Sequence, residues 1–193
     1  MRNRFDALRV DDGDEEEIRE ADAGESQSKG KSKIKIVGDS LCKHLHKTMK
    51  RRVENYSFLG AGIKRVFQTI EKISDEDSVV CIVAGGNDVQ KRRSEELISQ
   101  YKEALERVRS HGGTAIACGI FPRMGYGSEW MSRAIRFNCR MKKFCEENNI
   151  IFIDVWDKFY GVNNFYARDG VHLSRTGNSV LARLVDCAAM GFR

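Results

Sequence analysis

The chain has 193 residues, 41% of them hydrophobic, enough for one domain with a substantial core. Its net charge of +5 conceals an asymmetry: residues 1–30 carry ten acids against five bases, which leaves +10 on residues 31–193. The sequence shows no secretory apolar segment and no apolar run long enough to span a bilayer, and its six cysteines form no CxxC pair. A zinc site is therefore disfavoured, and a soluble or at most peripheral protein with reduced cysteines is expected, intracellular and cytoplasmic. The basic part suits either a solvated surface or contact with phosphate backbones or anionic membranes.

Residues 1–33 hold the acidic run Asp11-Asp12-Gly13-Asp14-Glu15-Glu16-Glu17 and few large apolar groups, so a disordered tail or linker is expected there, with the domain at 34–193. Ile34–Val37 reads as a strand that turns at Gly38-Asp39-Ser40. A helix is expected after Ser40, with Leu41, Leu45, Met49 and Val53 on one side and Lys43, His44, His46, Lys47, Lys50, Arg51 and Arg52 on the other. Asn55–Leu59 reads as a second strand, broken by Gly60-Ala61-Gly62. Ile63, Val66, Phe67, Ile70 and Ile73 recur at helical spacing. Ser78–Ala84 is apolar throughout, as a central parallel strand requires, and ends in Gly85-Gly86-Asn87-Asp88.

A helix capped by Ser94 buries Leu97, Ile98, Tyr101, Leu105 and Val108 and stops at Gly112-Gly113. Thr114–Phe121 is the fourth strand, closed by Pro122. Ser128 is a candidate cap for a helix to about Asn148, in which Lys142 falls on the apolar side. Ile150–Val155 is the fifth strand, Trp156–Leu173 is irregular, and a last helix turns Val180, Leu181, Leu184, Val185 and Ala188 inward.

This alternation predicts an α/β protein with an open five-stranded parallel sheet and helices on both faces. In such sheets a site forms beyond the carboxyl ends of the strands, where Ser40, Gly60, Asn87 and the loop of Asp169 and His172 all fall. Those residue types fit acyl transfer. Ser40 is the candidate nucleophile, His172 the base and Asp169 the group that orients it. The N–H groups of Ser40 and Gly60 and the Asn87 amide are candidate oxyanion donors. Each fragment has a plainer reading. Ser40 could be a helix cap, Asp169-Gly170 and Asn87-Asp88 ordinary turns, and Gly62 could replace Gly60. Asp88 reads better as a loop brace, His44 and His46 as surface residues, and Tyr126 and Trp130 as possible walls of an acyl pocket.

Taken together, Gly38-Asp39-Ser40, the glycine after strand two, Gly85-Gly86-Asn87-Asp88 and Asp169-Gly170-Val171-His172 resemble the SGNH (GDSL) hydrolase superfamily over about residues 34–190. The resemblance implies a three-layer α/β/α sandwich of flavodoxin-like architecture. It also implies esterase, lipase or acetylhydrolase activity on acyl-ester or lipid substrates, with no metal or organic cofactor. The acidic opening with Asn3-Arg4-Phe5, the minimal domain without lid insertions and the strong basicity further resemble the esterase domain of first-open-reading-frame proteins of LINE-type retrotransposons. That likeness implies RNA binding, contact with anionic membranes and self-association through regions outside this chain. The coiled coil and zinc knuckles of that family are absent from the sequence. The short domain leads us to expect an open site that prefers short acyl groups.

Overall fold

A computed structural model describes residues 33–191. The expected acidic tail therefore lies outside the described residues, apart from Lys33. Five parallel strands form one sheet in the order β2-β1-β3-β4-β5: β1 (Lys33–Gly38), β2 (Val53–Ser57), β3 (Ser78–Val83), β4 (Thr114–Cys118) and β5 (Ile151–Ile153). β1 and β3 run in register from Lys33 against Ser78 to Gly38 against Val83, so the loops after them leave the sheet side by side. This is where the strand order reverses, the place at which open α/β sheets form their crevice.

Alternation along the strands gives each face its own core. Val37, Val80, Ile82, Ala115 and Ala117 pack under α2 (Ile63–Ile73), α3 (Ser94–Ser110) and α4 (Gly127–Glu147). Ile34, Ile36, Val79, Cys81, Val83, Ile116 and Cys118 pack under α1 (Leu45–Thr48), α5 (Trp156–Phe159) and α6 (Arg175–Met190). The result is the three-layer sandwich expected from the sequence. All six residues of β3 are buried, as a strand covered on both faces must be. Among the described residues no helix is long and apolar enough to cross a membrane.

Four local expectations are corrected. The long helix after Ser40 is instead a short 3-10 turn, Ser40–Cys42, followed by the four-residue α1. The backbone turns extended at Met49 (ψ 143), which ends α1, and the Asn55 amide of β2 braces the turn by donating to the carbonyls of Cys42 (3.0 Å) and Lys43 (3.2 Å). Val53 opens β2 and never belonged to the helical stripe. Neither Ser94 nor Ser128 caps its helix; Arg93 and Tyr126 hold the cap positions, without side-chain bonds. Lys142 points outward and pairs with Asp154 at 3.4 Å. Strands two, four and five are also offset or shorter than expected, the usual uncertainty of element ends.

Candidate functional site

The site residues come from five loops at the carboxyl edge of the sheet. β1 delivers Asp39 and Ser40. Asp39 Oδ1 accepts the Leu41 N–H at 2.9 Å, which starts the 3-10 turn and fixes Ser40 on it. Ser40 Oγ lies 3.0 Å from His172 Nε2. His172 Nδ1 lies 2.6 Å from Asp169 Oδ2. Asp169 also accepts the backbone N–H groups of Val171 and His172 on Oδ1, each at 2.9 Å, in a turn completed by Gly170 at φ 69. A bridge between Tyr166 and Leu173 closes the base of this loop.

The Asp169 carboxyl is held at about 2, first by its bond to His172 and then by the Val171 N–H. An ionised carboxylate only accepts, so Nδ1–H donates to Asp169, and in the neutral ring Nε2 is then the nitrogen that accepts from the Ser40 hydroxyl. Both side chains remain about half exposed, 45% for His172 and 50% for Asp169.

On the other flank of Ser40, Asn87 follows β3. Its Nδ2 donates to Asp39 Oδ2 at 3.3 Å and to the Ala61 carbonyl at 3.1 Å. The loop after β2 is thus tied to the loops after β1 and β3. Gly60 lies in that loop at φ 64 with open space where a side chain would project, so its backbone can face a ligand. Gly62 is built differently: a Cβ there would lie 2.4 Å from Asp88 Oδ1. Asp88 is the brace expected from the sequence, accepting the Ile63 N–H at 2.9 Å and Arg92 Nε at 3.0 Å.

Two participants escaped the sequence reading. Asp39 is 1% exposed, and burial raises its carboxyl to about 6, against the opposing pull of the Leu41 N–H, Arg123 and His172. Arg123, just after β4, is 5% exposed and donates from Nη2 to Asn87 Oδ1 at 3.1 Å. Its guanidinium lies 5.3 Å from the Tyr126 ring centroid and 5.5 Å from that of Trp130. The only hint in the sequence is a cation placed just past an apolar run and its closing proline, a pattern that ordinarily marks a surface residue. Trp130 is buried in the core and Tyr126 is 39% exposed, and both line a surface depression of about 450 Å³ together with Gln90 and Arg133. Cys42, two residues after Ser40, is buried with its thiol pushed well up, which leaves it a poor nucleophile.

The sequence profile of the GDSL-like lipase/acylhydrolase family matches residues 24–180, and the chain belongs to that family. Solved structures agree on the fold. A GDSL-like lipase from Bacteroides thetaiotaomicron superposes with a TM-score of 0.72 at 15% identity, covering 84% of this chain and 89% of its own. A lipolytic protein of the G-D-S-L family from Veillonella parvula gives 0.70 at 18% identity, covering 79% and 95%. The esterase domain of the ORF1 protein from the zebrafish ZfL2-1 retrotransposon is 27% identical over 80% of this chain and 96% of its own, with a TM-score of 0.47. No curated protein sequence matches the chain.

Proposed function

We propose that the chain is a serine esterase in which Ser40, His172 and Asp169 act as a catalytic triad. The observation that carries this reading is the continuous run Ser40 Oγ–His172 Nε2 at 3.0 Å and His172 Nδ1–Asp169 Oδ2 at 2.6 Å, joining residues 132 positions apart. Ser40 Oγ attacks the acyl carbon while His172 Nε2 takes its proton, and Asp169 stabilises the imidazolium that forms. The carbonyl oxygen becomes an oxyanion, which accepts from the N–H groups of Ser40 and Gly60 and from Asn87 Nδ2. Asn87 exchanges its long 3.3 Å bond to Asp39 for the stronger acceptor. His172 then returns the proton to the leaving alkoxide, and water repeats the sequence on the acyl-enzyme.

The minimal domain without lid insertions leads us to expect short acyl groups as substrates, and a rate that rose steadily with chain length would contradict this. The test is hydrolysis of short-chain chromogenic esters by the native chain and by Ser40→Ala. The native chain turns over and the variant falls to background; equal rates would refute the reading.

A second reading, as a phosphate-backbone binder of the retrotransposon-associated kind, is favoured by the exposed Lys43, His44, His46, Lys47 and Lys50 on the segment that follows Ser40. Affinity for single-stranded RNA would then fall steeply with salt, and a salt-insensitive affinity would exclude it.

A further inference from the structure

We propose that Arg123 is a positioning residue that decides which end of the Asn87 amide faces Ser40, a role that rests on the esterase reading above. The two ends of a side-chain amide are nearly identical in shape, so packing alone does not choose between them. Chemistry does. A guanidinium only donates, so it selects Oδ1, whereas the Ala61 carbonyl and an ionised Asp39 only accept and select Nδ2. With all three in place, Asn87 presents its N–H groups, and not its carbonyl, to the site.

A guanidinium at 5% exposure is an expensive pin between loops if holding them together is its sole task. The fold is shaped to admit it. Tyr126 and Trp130 pack against it side by side, and Gly86 leaves room that a Cβ would close, standing 2.7 Å from Nη2. Its cationic bond to Oδ1 also polarises the amide, which strengthens Nδ2 as a donor at the moment the oxyanion forms. Arg123 acts through Asn87 and does not itself touch the reacting atoms.

Four variants of the full chain test this: Arg123→Met, which keeps an apolar stem against the rings, Arg123→Lys, Asn87→Ala, and Arg123→Met combined with Asn87→Ala. Loss of the oriented donor is expected to lower kcat of Arg123→Met about tenfold or more, with KM within about twofold. Arg123→Lys recovers part of the loss. The double variant is no slower than Asn87→Ala alone, because the arginine has nothing left to orient. Multiplicative losses, or an Arg123→Met kcat within about twofold of native, would overturn the proposal.

A readout independent of turnover is the Asn87 side-chain amide signal in nitrogen-15 NMR, assigned by its loss in Asn87→Ala. It is slow to exchange in the native chain and fast in Arg123→Met, or in Arg123→Lys should the former not fold. An unchanged signal overturns the proposal. A signal that depends on Arg123 in a chain without Ser40-dependent hydrolysis upholds the positioning role and refutes the esterase reading.

Discussion

Asp39 and Asp169 flank the same serine, and their surroundings move their carboxyls in opposite directions. Asp39 is sealed at the point where the strand order reverses, and burial lifts it to about 6 despite a backbone donor and a nearby arginine. Asp169 sits half exposed in a turn of its own making, and the bonds it accepts hold it at about 2. The buried flank, Asp39–Asn87–Arg123, is assembled from the ends of three strands. The exposed flank, Asp169–His172, is assembled almost wholly within one short loop. The difference teaches how the work is divided. Donors for a developing oxyanion gain from a dry, rigid setting, whereas a base that must gain and lose a proton is better kept where both of its states are tolerated.

The comparison is broken most severely on the exposed flank. Asp169→Asn leaves a neutral partner that can donate to Nδ1 and hold the wrong tautomer, so kcat for a chromogenic ester should fall on the order of 10⁴-fold. On the buried flank, Asn87→Ala removes one donor among several and should cost roughly 10²–10³ in kcat with KM little changed. A ratio reversed between the two variants would mean that the flanks do not divide the work in this way.

Stability sharpens the contrast further. Gly62→Ala forces a Cβ to 2.4 Å from the bracing Asp88 and should cost about 1–3 kcal/mol in urea denaturation. Gly60→Ala, in open space at φ 64, should cost about 1 kcal/mol from backbone strain alone.

A last contrast is a pair of opposed pH slopes. The folded Asp39 carboxyl lies above its ordinary value of 3.8, so its stabilising contribution is present in acid and is lost as pH rises from there through about 6. Asp169 lies below 3.8, so its contribution is present above that value and is lost as pH falls towards about 2. Denaturation curves of Asp39→Asn and Asp169→Asn against pH should each flatten in their own window, the second weakly because solvent screens a half-exposed pair. Flattening in the same window would contradict the assignment.

How much of this was legible in the sequence follows the same division. The stripe from Ile63 to Ile73 predicts a helix that α2 supplies, and the apolar run from Ser78 predicts β3, because local periodicity and burial agree there. Ser40, Asn87 and the Asp169/His172 loop could be placed at one edge because each directly follows a strand or belongs to a recognisable turn. The segment after Ser40 misleads by spacing: Val53 matches the stripe, yet β2 claims it, and the chain turns extended at Met49 to reach that strand. Arg123 was invisible for a related reason. Its burial depends on Asn87, Tyr126, Trp130 and Gly86 together, and no local pattern in the sequence announces that convergence.

The central claim is that His172, held by Asp169, activates Ser40 as a nucleophile. The most direct measurement is covalent trapping: incubate the native chain and His172→Ala with a fluorophosphonate and locate the adduct by peptide mass spectrometry. The account predicts a single phosphonyl adduct on Ser40 in the native chain, formed at least about 10³-fold more slowly without His172. An unlabelled Ser40, or labelling at the same rate in both proteins, would contradict it.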